Sequence, residues 1–337
     1  MTSDLLSYGN LSIPEPGSAA SAASELSFSL AAFCLMGLPL YKPVNPTQNF
    51  VRRSPGKYAL TIRPFEITLD DGTELRVPIP FGVMPRYAIF WIMTQVARTR
   101  QREVPLGVIK EWSQEIGLKG RADQLLYLKD QLVRLAFVDF NLQLVEGEGE
   151  DDRITRRTLI DEAVFSKGDL QNYANGRIDK MRWPKSLMVS EWFYKAICDY
   201  VDRNNIVPIA TVGLRKLTRT PMAIDFFAFL SLYLPRLKEG EQRIVAWETI
   251  ISHFGQKQTP ARFLKDYRSS IERAIETYPA ANVTIDPKQG LILRHTDPAP
   301  MEELILAPVS AARAVKRDRY RVKPRGIQMN AVQRTLL

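Results

Sequence analysis

The stretch VAWETIISHFGQKQTPARFLKDYRSSIERAIETYPAANVTIDPKQGLILR, from Val245 to Arg294, decides the fold of this chain. Its first part places apolar residues at helical spacing and stops at Gly255, which predicts a short helix. A polar turn leads into a second predicted helix, Pro260–Tyr278, whose proline suits the first helical position. Two short runs, Asn282–Ile285 and Leu291–Arg294, then predict a β-hairpin.

The second predicted helix separates its residues into two faces. Its apolar residues share one stripe with the period of a helix: Phe263, Leu264, Tyr267, Ile271, Ala274 and Ile275. Arg262, Lys265, Arg268 and Ser269 fall largely on the other face, and Asp266 is spaced to orient Arg262. A helix, a turn, a basic-faced helix and a β-ribbon together predict a winged helix that places its second helix in the major groove of DNA.

Three further residues of this segment are candidates for DNA contacts. Lys257 in the turn and Lys288 in the wing are expected to contact phosphates, which sets register but not sequence. His253 ends the first helix, and a surface position is favoured for it over a phosphate contact. The alternative for the basic face as a whole is an ordinary solvated side of an amphipathic helix.

An earlier part of the chain repeats this plan. The segments Leu106–Ile116 and Arg121–Leu135 predict a second helix-turn-helix. A hairpin is predicted after it, from strands Phe137–Val145 and Ile154–Phe165 joined by an acidic tip. The two copies share architecture rather than sequence.

The candidate contact residues of this first copy are fewer and less basic. Lys119 lies in the predicted turn, and Arg121, Gln124 and Arg134 lie on one rough face of the helix that follows, together with Gln131. A packing or dimer role is the alternative for this helix.

These patterns predict an α+β fold, mainly α, with two tandem winged-helix domains (helix-turn-helix plus β-wing). We expect residues 1–50 to form a flexible tail with a short apolar segment, and residues 51–203 the first domain. That domain includes a preceding hairpin around Asp70-Asp71-Gly72-Thr73. We expect residues 204–297 to form the second domain, the main DNA reader, and residues 298–337 to form a basic, disordered tail.

Charge and cysteine content agree with a nucleic-acid partner in a reducing compartment. The 337-residue chain has a net charge of +9, and its last stretch, Ser310–Leu337, holds eight basic residues against one acidic residue. Its two cysteines suit a reducing cytosol rather than a disulfide framework, so a cytoplasmic location is expected. The apolar stretch Leu26–Leu40 is too short to span a bilayer, and we expect it to dock a partner or a second copy.

The sequence lacks the motifs of common catalytic sites. No segment has the glycine-lysine pattern of an ATP-binding phosphate loop. The two histidines, His253 and His295, have no neighbouring ligand pattern for a metal or for nucleophilic catalysis. We therefore expect no enzymatic activity, no metal and no cofactor.

Four segments resemble the RepA family of bacterial plasmid replication initiators. They are Phe81–Thr94, Ser190–Tyr194, Thr220–Asp225 and Arg262–Tyr267, and they occur in the family's order. The resemblance covers roughly Leu38–Pro298 and implies tandem winged helices that bind direct repeats, or iterons, at an origin.

The resemblance also implies partners. They are double-stranded origin DNA and host replication initiator and helicase proteins, with a homodimer as one assembly and repression of the protein's own gene as a second role. The residues alone reach only sequence-specific DNA binding. A dedicated transcriptional repressor and a protein-interaction scaffold without DNA binding are the alternatives.

Overall fold

The computed structural model describes residues 5–54, 58–144, 158–202, 206–255 and 258–307. Helix exceeds strand, at 44% against 23%, which confirms a mixed fold with more helix than sheet. Within these ranges, no helix is both long enough and apolar enough to cross a bilayer.

The first part of the chain, up to residue 202, forms β1 (Leu5–Tyr8), β2 (Leu11–Pro14), α1 (Ala19–Ala23), β3 (Leu26–Ser29), α2 (Ala31–Leu35), β4 (Phe50–Ser54), β5 (Tyr58–Arg63), β6 (Phe65–Thr68), β7 (Glu74–Val77), α3 (Val83–Thr99), β8 (Glu103–Pro105), α4 (Ile109–Glu115), α5 (Ala122–Phe137), β9 (Asp139–Leu144), β10 (Ile160–Val164), α6 (Asp169–Ala174), β11 (Ser186–Val189) and α7 (Glu191–Asp202). The second part forms β12 (Val207–Ala210), α8 (Thr211–Lys216), α9 (Pro221–Tyr233), a 3-10 turn (Leu234–Arg236), β13 (Gln242–Val245), α10 (Trp247–Phe254), α11 (Pro260–Thr277), β14 (Val283–Asp286), β15 (Gly290–Arg294) and α12 (Ala299–Leu306).

Helices α3 and α9 form the centre of the molecule. Both are buried on every side through most of their length, so neither shows the single apolar stripe of a surface helix. Each carries one buried charged residue, Arg86 on α3 and Asp225 on α9, exposed by only 2% and 4%. These two residues pair at 2.7 Å and join the two halves of the chain.

Every N–H group of the Arg86 guanidinium has an acceptor. Two of them donate to the two carboxylate oxygens of Asp225, both at 2.7 Å. The others donate to the carbonyl oxygens of Leu38, Pro39 and Gly82. A buried charge is tolerated when it is paired and fully hydrogen-bonded, and Arg86 meets both conditions.

The expectation of a flexible N-terminal tail over residues 1–50 is wrong for residues 5–50, the part of it that the structure describes. Strands β1 and β2 form a hairpin, and β3 pairs antiparallel with β12 of the second half. Apolar side chains such as Leu11 and Phe28 are buried in the main core. The stretch Leu26–Leu40 is therefore part of the protein's own core, because its apolar residues pack against α3 and α9 rather than awaiting a partner.

The predicted hairpin after the first helix-turn-helix is also wrong. Strand β9 pairs with β5, and β10 pairs with β11, so β9 and β10 are not partners. The reason is burial: Leu60 and Ile62 of β5 lie opposite Leu142 and Phe140 of β9, and all four are buried on one face of the sheet. The acidic tip predicted between β9 and β10 lies outside the described residues.

Of two other expectations, the first is confirmed in part and the second is wrong for residues 299–306. The hairpin around Asp70–Thr73 is present between β6 and β7, whereas the residues before it belong to β5 in a different sheet. The C-terminal tail begins with helix α12, whose Met301 and Ile305 are buried, so it is ordered there. The rest of that tail, from residue 308, and the predicted domain boundary at residues 203–204 fall outside the described ranges.

Candidate nucleic-acid interface

Helix α11 forms where the sequence predicts it because its start is specified locally. The Thr259 hydroxyl accepts a hydrogen bond from the backbone N–H of Arg262, and Pro260 takes the first turn. Its apolar face packs on α9 and α10, where the Phe263 ring meets Trp247 and Phe226 at centroid distances of 6.3 and 6.5 Å. Burial of this face fixes which side of α11 remains in solvent.

The four residues predicted to face DNA from α11 are all exposed: Arg262, Lys265, Arg268 and Ser269. Asp266 holds Arg262 in an i,i+4 pair at 2.8 Å, as its spacing predicts, and Glu272 holds Arg268 at 2.8 Å. Lys265 has no ion-pair partner among the described residues. The carboxylates therefore orient two guanidinium groups outward beside a free ammonium group.

The hairpin after α11 is part of a three-stranded sheet in the order β13-β15-β14. The Trp247 indole N–H donates to the carbonyl of Asp286 at 2.9 Å and ties the hairpin turn to α10. At Gly290 the backbone has a φ of +127°, and a Cβ atom there would lie 2.0 Å from the Val245 carbonyl oxygen. This close approach requires glycine and fixes the hairpin against the strand that precedes α10.

The two lysines predicted to touch phosphates have different outcomes. Lys288 is exposed in the hairpin turn, where its backbone N–H donates to the Asp286 carboxylate at 2.8 Å. Lys257 lies outside the described residues, so its role stays a prediction.

Fewer of the contact residues predicted for the first helix-turn-helix are exposed than the sequence suggests. Lys119 and Arg121 are exposed at the turn between α4 and α5, and Arg121 pairs with Asp123 at 2.7 Å. Gln124 is half-buried, and its side-chain oxygen is buried without a partner among the described residues.

The prediction that Arg134 faces DNA is wrong. Arg134 is only 9% exposed, pairs with Asp130 at 2.9 Å and donates to the Ile79 carbonyl. Gln131, placed on the same predicted face, is 1% exposed and accepts a hydrogen bond from the Phe81 backbone. The face that these residues share is turned into the protein, where carboxylate and carbonyl acceptors satisfy it.

His253 is not at the surface. It is 3% exposed and lies against the Phe229 and Phe254 rings, because strand β4 covers α10. Burial and the nearby Arg52 lower the pKa of His253 to about 4. The imidazole is therefore neutral at pH 7 and unsuited to bind a phosphate.

The buried imidazole predicts a dependence of stability on pH. The unfolded chain protonates His253 near pH 6.5, whereas the folded protein resists protonation down to about pH 4. Its contribution is complete above pH 6.5 and is lost as pH falls toward 4, at a cost of about 2 kcal/mol between pH 7 and pH 5. Urea unfolding at both values should show His253→Phe losing less stability than the wild type by this amount. Parallel pH profiles for the two proteins would contradict the assignment.

Sequence reasoning missed one exposed cation of α11. Arg273 lies on the solvent side of the helix, and its guanidinium donates to the Lys216 carbonyl at 3.1 Å. Its spacing from Arg262 is close to three helical turns, so the two share one edge of the helix. That spacing could have revealed it.

No group of three or more histidine, cysteine or acidic residues in the described part of the chain is arranged to hold a metal ion. The surface built here from α11, its hairpin and the α4–α5 turn presents cations and hydroxyl groups to solvent. Such groups bind phosphate and base edges by hydrogen bonding and charge.

Sequence comparison identifies one family. The family described as plasmid-encoded RepA protein matches residues 79–249, about half of the chain. The matched region runs from just before α3 into α10, so α11 and its hairpin lie beyond it. No curated protein matches the chain.

Structural comparison finds domains 2 and 3 of RctB. The selenomethionine derivative of these domains has a TM-score of 0.50 over 80% of this chain and 100% of that chain, at 13% sequence identity. A second structure of the same domains gives 0.44 over 70% of this chain and 80% of that chain, at 14% identity. At such identities the first likeness concerns the fold alone.

Proposed function

Because the chain belongs to the plasmid-encoded RepA family of replication initiators, we propose that it binds direct repeats at a plasmid origin and starts replication there. In this proposal α10, α11 and the β13-β15-β14 sheet form a winged helix. Helix α11 enters the major groove and reads base edges, while Lys288 in the hairpin turn contacts a phosphate.

One observation carries this proposal. The exposed face of α11 presents Arg262, Lys265, Arg268 and Ser269 together, while the opposite face is buried against α9 and α10. A duplex has complementary charge, and arginine can bind guanine O6 and N7 with two parallel hydrogen bonds. The orientation of Arg262 by Asp266 reduces the freedom that such a contact would otherwise lose.

The first helix-turn-helix has a different part in the proposal. Only Lys119 and Arg121 of its candidate residues are well exposed, and they lie at the start of α5. This composition favours phosphate contact over base reading, so we assign α4 and α5 to the backbone of an adjacent groove.

In this proposal the protein acts by binding DNA and partner proteins, and not by catalysis. The absence of a phosphate-loop motif from the sequence supports recruitment of a host initiator and an ATP-driven helicase to open the origin. Autorepression and a homodimer belong to the same proposal. A dedicated repressor, which would use the same α11 surface, is the second candidate.

A replication assay tests the proposal directly. The coding region and its upstream DNA are placed on a plasmid that cannot replicate in the recipient host. Stable maintenance is expected with the wild-type gene and loss with an Arg262→Ala/Arg268→Ala gene. Footprinting that protects direct repeats supports initiation. Protection of an isolated palindrome, with no maintenance, would favour the repressor.

Single alanine variants test base reading by α11. Arg262→Ala or Arg268→Ala should weaken binding to the cognate site by about 1–3 kcal/mol and relax the preference at one base pair. Binding is measured on the footprinted site and on a panel of its single-base variants.

The exposed Arg177, which follows α6, provides a matched control. Arg177→Ala should leave both affinity and preference unchanged. An equal loss on all panel members for Arg262→Ala or Arg268→Ala would reassign that arginine to a phosphate contact.

A further inference from the structure

A chain of contacts connects the two helix-turn-helix units through the short helix α8. Gly117, in the α4–α5 turn, lies against Arg215 of α8. The approach is so close that a Cβ on this glycine would be 2.8 Å from the Arg215 Cγ. Arg215 Nε also donates to the Glu115 carbonyl at 2.8 Å. On its other side, α8 meets α11 where Arg273 donates to the Lys216 carbonyl.

Four exposed cations follow this line, and we call them the α8 ridge: Lys119, Lys216, Arg219 and Arg273. None of them has an ion-pair partner among the described residues. Arg215 itself is not part of this set, since it pairs with the buried Glu25 at 2.8 Å. The inward charge of α8 is thus neutralised, while its outward charge is not.

Acidic residues on the neighbouring face of α11 do not cancel this charge. Glu272 is engaged by Arg268 at 2.8 Å. Glu276 is exposed one turn beyond Arg273 and is the remaining carboxylate on that end of the helix. The ridge therefore keeps an excess of positive charge beside the C-terminal half of α11, the part that lies outside the major groove in the proposed complex.

The ridge continues the surface already assigned to α11. Arg262 and Arg273 occupy the same edge of the helix and are separated by about 17 Å along its axis, at 1.5 Å per residue. The hydrogen bond from Arg273 to the Lys216 carbonyl brings α8 to this end of the edge, and Arg219 follows three residues later. The contact of Gly117 with Arg215 brings the turn that holds Lys119 to the other side of α8. A duplex seated on the N-terminal half of α11 would bring its flanking backbone along this line.

We propose that the α8 ridge binds the phosphate backbone of duplex DNA between the two helix-turn-helix units. This inference rests on the proposed function and adds contacts that set affinity and register without reading bases. Each phosphate neutralised releases counterions, so the ridge should appear as part of the salt dependence of binding.

The test uses a site selected by the wild-type protein from a random duplex library. Binding is measured over a salt range of about 50 to 300 mM, because the number of phosphate contacts determines how steeply affinity falls as salt rises. For Lys216→Gln/Arg219→Gln/Arg273→Gln, the slope of log K against log salt should become shallower by about 2–3, with affinity about tenfold or more weaker at 0.1 M. The preference among single-base variants of the site should not change.

Matched variants separate the ridge from net charge and from folding. Lys167→Gln/Arg177→Gln/Lys238→Gln removes the same charge from exposed positions around α6 and before β13, and should keep the wild-type slope. Lys216→Gln/Arg219→Gln leaves the hydrogen bond of Arg273 intact and should still lose about 2 in slope.

The outcomes separate this inference from the proposed function. A wild-type slope in the ridge variant, or an equal loss in the control, overturns the ridge while leaving α11 as the reader. A wild-type protein that selects no duplex and shows no salt dependence overturns the proposed function itself. A ridge variant that binds DNA normally but loses an acidic protein partner also overturns the inference.

Discussion

Replacing Asp225 with alanine is expected to lower the free energy of unfolding by about 3–5 kcal/mol, because it leaves the Arg86 charge buried without its partner. Arg86 is 2% exposed and receives two of its five acceptor contacts from this carboxylate. The remaining acceptors are carbonyl oxygens, which satisfy hydrogen bonds but carry no compensating charge. Urea unfolding of the wild type and the variant measures the difference.

A double variant provides the control for this prediction. Arg86→Met/Asp225→Leu removes both charges and keeps apolar volume at the α3–α9 contact, so it should recover much of the loss. If Asp225→Ala alone costs no more than a surface substitution, about 0.5 kcal/mol, the pair does not hold the two halves together.

Phe226→Ala should produce a loss of similar size, about 3–5 kcal/mol, through the cavity that it creates. Phe226 is 1% exposed and its ring lies 4.9 Å from Phe254, 6.2 Å from Phe229 and 6.5 Å from Phe263. Its ring therefore packs against the buried sides of both α10 and α11. We expect DNA binding to weaken at temperatures where the wild type still binds, because α11 loses the ring against which its apolar face packs.

Phe65→Ala is the comparison for Phe226→Ala, because Phe65 lies 47% exposed on β6. Its unfolding free energy should differ from wild type by about 0.5 kcal/mol or less. Similar losses for the two variants, or no loss at Phe226, would show that the ring cluster does not support α10 and α11.

Local signals explain what the sequence could predict. The start of α11 at Pro260, its apolar stripe and its exposed cations depend on neighbours within a few turns, and the structure agrees with each. The hairpin β14–β15 follows from a turn within the same segment. The Asp266–Arg262 pair likewise follows from helical spacing alone.

Distant partners explain what the sequence could not predict. Strand β9 pairs with β5, which lies far upstream in the sequence, so no turn signal between β9 and β10 could reveal its partner. His253 is buried because β4 covers α10, another contact between remote segments. Arg134 shows the same limit, since a helical period identifies a face but not whether that face meets solvent or acceptors inside the protein.

The α3–α9 contact also constrains how a duplex could be accommodated. Since Arg86 and Asp225 pair inside a core that both halves share, we expect the halves to resist swinging about a hinge to follow differently spaced grooves. When both halves engage one duplex, bending or twisting of the DNA must supply the adjustment. Base pairs that no side chain touches would then influence affinity through their stiffness.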